Sequence, residues 1–571
     1  MKLRDVRICR IIILLSIFAS LKMLFTGFNL DEEYQIVMSY RRVTGDALFT
    51  VMREPHQTSA FLCVFLMRIY MGLFGTTTGI VLYLRIMGTL IHLAVSYALY
   101  RTLKNSIVTY DSGLASFLSA AAFYNIVPKQ IITPEFAIMQ VWCFTGLWCA
   151  LVKYRAAEKQ IERMVYITLM TLFMCLEVLS YPSCILLFPV FAFSLSKGEQ
   201  GYGAKKYIPV ILFSVLCLVS GSVYILTVFK GMGFSEIFSS LKNITGGDIT
   251  HTGREYERII SMLKSLVHIG LDLALLYAGA LILLKYLKGR LPESKLTADK
   301  KIFISCAMLI LSCIVSIVYW LILGEEYEKM QVYLIVAAAA GLVLYRKEKQ
   351  LSFGISASLV SLISVCLLTD LDVMCSLPHA MPGAVFGLVL LLLGAGKHNA
   401  REEGAGLIRI AVYIFIFTAI FGKLYTLRGS AGYKNILQTR GIMKEGPCIG
   451  ITSDYMSSYI YNSDYGDWQE YIDDGDKVLI VVRNVNNFGT IQYLFKNVGI
   501  SHFSIVNPTA YDERLISYWE EYPKKLPDAI ITDCWFGGEI EPEDSYIKKY
   551  MDRTSEYSEY YDGSYIRVYK R

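Results

Sequence analysis

The feature that most limits this chain is a series of apolar runs, each long enough to cross a bilayer. The first, Ile8–Phe28, has about 20 residues, and at roughly 1.5 Å per residue that matches a hydrocarbon core about 30 Å thick. Lipid offers no partner to a backbone N–H or C=O, so such runs are confined to helices. Further crossings are expected at Thr77–Tyr100, Ser112–Val127, Pro134–Lys153, Met164–Ser180, Pro182–Leu195 and Tyr207–Phe229. The series continues with Leu263–Leu284, Ile302–Leu323, Lys329–Leu344, Leu351–Leu368, Ala380–Leu393 and Leu407–Tyr425. A composition of 54% hydrophobic residues and a mean hydropathy of +0.44 exclude an ordinary soluble domain. The fold class expected is a polytopic α-helical membrane protein with about 13 spans and a small C-terminal α/β domain.

Charge sets the expected orientation. Lys and Arg collect in alternate connections, at Lys2–Arg10, Arg101–Lys104, Lys153–Arg163, Lys197–Lys206, Lys285–Lys301, Arg346–Lys349 and Lys397–Arg409. The positive-inside rule then puts the N-terminus in the cytoplasm and everything beyond Tyr425 outside the cell membrane. Arg4, Arg7 and Arg10 ahead of the first run resemble the start of a signal peptide. No small-residue cleavage site precedes the acids that follow, so the segment reads as a retained anchor. The segment Ser59–Phe74 carries Arg68 and is expected to lie flat in the interface. Most of the 13 cysteines fall in apolar runs, and no CxxC or Cys/His spacing points to a metal or a disulfide framework. Whether Cys448 and Cys534 pair is open.

Ionisable side chains inside spans are costly, and here they are one-sided. Lys22, Arg85, Glu135, Glu177, His268, Asp272 and Lys423 all fall toward the outer ends of their runs, which suits a polar cavity opening outward. Below the first span lies the acid cluster Asp31-Glu32-Glu33, at the start of a short helix on which Tyr34, Val37 and Met38 share a face. The helix dipole favours ionised acids there. Pro55 keeps Glu54 out of helical geometry, making Glu54-Pro55-His56 an extended elbow. Acids, helix and elbow could face one cleft.

At these residues the chain resembles the GT-C membrane glycosyltransferases, in the branch of protein O-mannosyltransferases and lipid A aminoarabinose transferases. The resemblance rests on one span, an outer loop opening with Asp-Glu, surface helices, the Pro-His elbow, and "GLFGTTTGIVLYLR" entering the next span. Thr133-Pro134-Glu135 is similar to the family's second acid and Tyr181-Pro182 to a recurring turn. The match runs from Met1 to about Pro189 and departs at the elbow, where the family often has His-Pro-Pro.

The resemblance implies sugar transfer at the outer face from a polyprenyl-phosphate donor to a glycan, lipid or protein acceptor. Asp31 would be the general base, with Glu32 and Glu135 beside it. Glu54, His56, Arg85, Lys129 and Arg254 are the expected substrate-binding residues, and Arg53 is a further candidate cation. No cofactor is required, a divalent ion on Asp31, Glu135 and His56 being an alternative. A lipid-linked oligosaccharide flippase or other transporter, or a polysaccharide polymerase or ligase, are the competing functions. Nothing suggests a nucleic-acid partner.

Beyond residue 430 the composition changes, with 22 acids against 15 Lys and Arg, and the domain division expected is 1–429 and 430–571. Strands are expected at Cys448–Thr452, Lys477–Val482, Phe503–Val506 and Ala529–Thr532, and helices at Thr490–Val498 and Asp512–Tyr522. That alternation predicts a largely parallel sheet. Gly446-Pro-Cys-Ile-Gly450 lacks a dinucleotide fingerprint. Tyr455, Tyr459, Tyr461 and Tyr465 are candidate sugar-stacking residues.

Overall fold

The computed structural model describes residues 3–571 except 29, 55, 108–111, 198–205, 246–254, 289–299, 323–330, 346, 369–372, 398–401, 430–431, 456, 460, 464–471, 474, 482–500, 505–512, 534–549, 552–553, 555–556 and 563–565. Its helices are α1 (Leu3–Phe25), α2 (Leu30–Thr44), α3 (Phe61–Phe74), α4 (Ile80–Ser106), α5 (Ser112–Asn125), α6 (Phe136–Ala156), α7 (Gln160–Ser180) and α8 (Leu187–Lys197). They continue as α9 (Ile208–Val228), α10 (Phe234–Thr245), α11 (Glu255–Lys288), α12 (Lys300–Ile322), α13 (Val332–Tyr345), α14 (Lys349–Leu368), α15 (Met381–Lys397) and α16 (Glu402–Tyr425).

Eleven helices among the described residues are long and apolar enough to cross a membrane. The protein is a multi-pass membrane protein, and eleven such helices stand against the about thirteen crossings expected. The runs at Ser112–Val127, Pro182–Leu195 and Lys329–Leu344 form helices below that length, and Gln57–Phe74 is long enough. Apolar composition alone could not separate a short buried helix from a crossing one.

The bundle has a clear inside. The most hydrophobic stretches of α6 and α15 are 89% and 94% buried, whereas those of α9 and α11 are 6% and 11% buried and present Leu218, Leu226 and Leu275 outward, as a lipid-facing helix must. Close approach of α13 and α15 depends on glycine, because a Cβ on Gly341 would stand 2.3 Å from the Gly387 carbonyl oxygen. Packing replaces hydrophobic attraction as the adhesive between helices in lipid, so small residues gather at such crossings.

After α16 the chain turns to strands β1 (Thr426–Gly429), β2 (Gly432–Asn435), β3 (Thr439–Ile442), β4 (Thr452–Asp454), β5 (Val478–Val481), β6 (Ala529–Asp533), β7 (Ser558–Asp562) and β8 (Ile566–Lys570). The largest sheet has the order β5-β6-β8-β7. β5 and β6 are parallel, as expected, but β8 runs antiparallel to both β6 and β7. The sheet is therefore mixed. The expected strand at Cys448–Thr452 is a turn that leads into β4, and the helix expected at Asp512–Tyr522 is found at Glu513–Glu521. The helix expected at Thr490–Val498 lies outside the described residues.

The tail packs directly on the first helices. Gly79 and Val81 donate backbone hydrogen bonds to the carbonyls of Gly446 and Pro447. Met443, Cys448, Ile451 and Tyr461 share an apolar cluster with Val37, Cys63, Leu66 and Val81. Tyr34, Val37 and Met38 of α2 are all buried, so this helix lies beneath other protein and not bare on lipid. Tyr455 and Tyr459 are exposed and stack on each other at 5.9 Å, while Tyr461 is buried.

Candidate active site

α1 ends at Phe25, and Gly27 takes a left-handed φ of 76° that turns the chain into α2. The three acids occupy the first turn of α2, yet the structure gives them different surroundings. The Asp31 side chain is 25% exposed and its Oδ2 accepts from Lys129 Nζ at 2.7 Å. Glu32 is buried and clamped bidentately by Arg85, Nε to Oε1 at 2.8 Å and Nη2 to Oε2 at 2.6 Å. Thr133 Oγ1 also donates to Glu32. Glu33 is buried as well. Only Asp31 combines partial exposure with an adjacent cation.

Lys129 reaches Asp31 because of its backbone. It sits in the short turn Pro128–Gln130 between α5 and α6, where Lys129 and Gln130 both have positive φ, 51° and 55°. Non-glycine residues pay about 1–3 kcal/mol each for such conformations, which persist where the surroundings over-determine them and cluster at functional sites. Lys129 Nζ also lies 4.9 Å from the centre of the Phe136 ring. Its charge is felt by Glu135, the residue before. Glu135 is buried as the N-cap of α6 and accepts from the backbone N–H of Ala137 and Ile138, each at 2.9 Å. Lys129 thus pairs with Asp31, while Glu135 is engaged by the start of α6.

His56 stacks on Phe136 with ring centres 4.2 Å apart and planes 12° apart. Tyr181 stands edge-on to both rings at 5.7 Å and to His379 at 5.5 Å. Beneath this aromatic floor runs a buried polar chain. His379 Nδ1 donates to Gln140 Oε1 at 2.9 Å, and Gln140 Nε2 donates to Glu177 Oε1 at 3.0 Å and to Ser361 Oγ at 2.6 Å. His379, Gln140 and Ser361 escaped the sequence reading. Their only local signal was polar character within or beside apolar runs, Gln140 in α6, Ser361 in α14 and His379 in the turn before α15.

The other expected substrate-binding residues are engaged elsewhere. Beyond Glu32, Arg85 donates to the carbonyls of Gly27 at 2.7 Å and Leu24 at 3.2 Å, capping the end of α1. Glu54 is fully buried under the tail, 3.3 Å from Arg41 Nη1 and accepting from Ser504 Oγ at 2.6 Å. Burial pushes its carboxyl above the usual range, with Arg41 opposing. Arg53 pairs with Glu521 and lies 5.7 Å from the centre of the Tyr518 ring. Arg254 and most of the glycine-rich segment before it lie outside the described residues. Among the described residues no three His, Cys, Asp or Glu side chains come close enough together to hold a metal ion.

Two further cations complete the rim. Lys22 of α1 donates to Gln130 Oε1 at 3.1 Å and to the Thr426 carbonyl just past α16. Lys423 of α16 donates to the Tyr124 carbonyl at 3.2 Å in the last turn of α5. With Arg85, each of these meets the negative end of a helix other than its own.

No family model matches the chain, and no curated protein matches it. Solved structures do resemble it. One is an oligosaccharyltransferase from Archaeoglobus fulgidus, at 12% identity and a TM-score of 0.43 over 91% of this chain and 67% of that one. Another is ArnT from Cupriavidus metallidurans in the apo state, at 11% identity and a TM-score of 0.44 over 99% of this chain and 97% of that one.

Proposed function

We propose that the protein is a membrane glycosyltransferase. It transfers a sugar, with inversion, from a polyprenyl-phosphate donor to an acceptor hydroxyl at the outer membrane face. The observation that carries this reading is Asp31, a partly exposed carboxylate held by a nearly buried lysine at the rim of an apolar bundle. A lipid-borne phosphate and a water-borne hydroxyl meet only at such a rim.

In this mechanism Asp31 takes the proton of the acceptor hydroxyl as its oxygen attacks the anomeric carbon. The bond from that carbon to the phosphate oxygen breaks, and polyprenyl phosphate leaves with the electron pair. Lys129 supplies positive charge where the leaving phosphate develops negative charge. General base help of this kind is worth about 10²- to 10⁴-fold. Glu32 and Arg85 hold the start of α2 in place, and Glu135 orients α6 so that Phe136 and Lys129 border the cleft. His56 lines it with aromatic surface, backed by Phe136 and the buried Tyr181. The N-terminus is cytoplasmic and the C-terminal domain, from about residue 430, is extracytoplasmic.

The experiment compares lipid and glycan extracts of a deletion strain and its parent by mass spectrometry. A glycan should disappear on deletion, return with the wild-type protein and fail to return with Asp31→Asn. Identical extracts from both strains would refute the activity.

A further inference from the structure

The C-terminal domain grips the loop that carries His56, and one buried guanidinium ties the two loop acids it holds to the tail backbone. Arg41, at the end of α2, is 1% exposed. Its Nε donates to Asp46 at 2.9 Å and its Nη1 to Glu54 at 3.3 Å, both within the loop between α2 and α3. Its Nη2 crosses to the tail and donates to the Ser501 carbonyl at 2.7 Å. The tail reciprocates at every acid Arg41 touches. Ser504 Oγ donates to Glu54 at 2.6 Å, and Lys525 pairs with Asp46. The Arg53 N–H donates to the His502 carbonyl at 3.0 Å, and the Arg53 side chain pairs with Glu521.

The loop is stiff between this network and the site. Gln57 Nε2 donates to the Glu54 carbonyl at 2.8 Å, while its Oε1 accepts from the N–H of Phe49, a residue held at φ 66°. Ser59 Oγ donates to the His56 carbonyl at 2.8 Å, and Thr58 Oγ1 donates to the Leu179 carbonyl at 2.8 Å. Glu54 is two residues from His56. Its carboxylate and the ring that stacks on Phe136 therefore belong to one short stretch of chain.

We propose that Arg41 is a positioning residue through which the docked C-terminal domain fixes His56 over the candidate active site, so that the tail sets the competence of the first loop. The functional half of this inference rests on the glycosyltransferase reading above, while the mechanical half does not. Arg41 suits the task because a planar fork can hold two carboxylates and a carbonyl at once, which an ammonium on a flexible stem cannot do in the same geometry.

The test uses the full-length protein in lipid nanodiscs and reads the rate at which diethyl pyrocarbonate modifies His56, by peptide mass spectrometry. Ser504→Ala removes one tail bond and is the mild variant, Ser504→Thr restores the hydroxyl, and Arg41→Lys keeps the charge without the fork. Local opening of a loop changes reactivity without global unfolding. His56 modification should rise about tenfold in Ser504→Ala and Arg41→Lys and return toward wild type in Ser504→Thr, with His92 and His379 unchanged. The glycan lost on deletion should fall to roughly a tenth in cells carrying Ser504→Ala. An unchanged His56 rate would overturn the inference, as would a rise shared by all three histidines. A faster His56 rate with undiminished glycan would overturn the coupling to activity. If the deletion strain loses no glycan, the transferase reading falls and the His56 rates still decide whether the tail holds the loop.

Discussion

Asp31 and Glu32 are adjacent acids whose removal should fail in opposite ways. Glu32→Gln takes one partner from an ion pair that is 3% exposed on the acid and 4% on the arginine. Arg85 would keep its carbonyl partners but lose the compensating charge. Breaking a buried pair from one side costs about 3–5 kcal/mol, and a glutamine that still accepts one bond places the loss near 3. Asp31→Asn also breaks a pair, but the acid is 25% exposed and water can replace it, so its cost is about 1 kcal/mol or less. The activities should rank the other way per unit of folded protein. Asp31→Asn should lose about 10²- to 10⁴-fold in transfer, because the amide cannot take the acceptor's proton. The assay is unfolding by sodium dodecyl sulfate in mixed micelles, followed through the six tryptophans, with glycan product measured in parallel on the same preparations. Equal destabilisation by the two variants would refute the division of labour, and so would normal transfer by Asp31→Asn.

Other expectations are shorter. Lys129→Met should keep most of the side-chain volume and its contact with Phe136, while transfer falls by about 10²-fold or more because the cation beside Asp31 is gone; unaltered transfer would remove Lys129 from the site. Gly88→Ala should destabilise the protein strongly, since the added Cβ would stand 1.8 Å from the Ile132 carbonyl oxygen, and reduced yield of folded protein in detergent checks it. In the tail, burial pushes the Asp528 carboxyl up, but the Lys477 N–H, Lys477 and Arg571 outweigh it and hold the group below its ordinary 3.8. Its stabilising contribution is therefore present above that pH and lost as pH falls below it, and Asp528→Asn should flatten the acid unfolding curve of the full chain, read by near-ultraviolet circular dichroism. Introduced cysteines at Tyr459 and Lys159 should differ in intact cells, with an impermeant maleimide labelling the first and sparing the second; the reverse pattern would place Asp31 in the cytoplasm.

Much of the bundle was legible because apolar runs are local. Hydropathy located α6 to within three residues at each end and α1, α4 and α16 to within six, because it measures composition and not where a helix begins or stops. The parallel pair β5 and β6 was visible as two short apolar runs, whereas β7, with the sequence SEYYD, carries no apolar signal and pairs only because β8 presents an edge. At the site, the sequence singled out Asp31, Glu135 and Lys129, of which Lys129 pairs with Asp31 while Glu135 accepts from the first N–H groups of α6. It could not foresee that Glu54 would be used by the tail, because the deciding partner, Ser504, is 450 positions away. Composition alone also gave no physical reason for Asp31 and Glu32 to differ; only the family resemblance set them apart. That difference is made by Arg85, which arrives from α4.

The cations at the rim also bear on how the chain is made. Arg85 from α4 serves the end of α1, Lys22 from α1 serves the end of α16, and Lys423 from α16 serves the end of α5. Taken in order of synthesis, Lys22 is inserted first and its carbonyl acceptor at Thr426 emerges some four hundred residues later. A ribosome-bound chain shorter than that has the Gln130 acceptor of Lys22 but not the helix end that completes its contacts. Burying the lysine is costly until the last span docks. The contacts of the rim are thereby complete only when the final transmembrane helix is in place, and a chain truncated before α16 should fold less stably around Lys22.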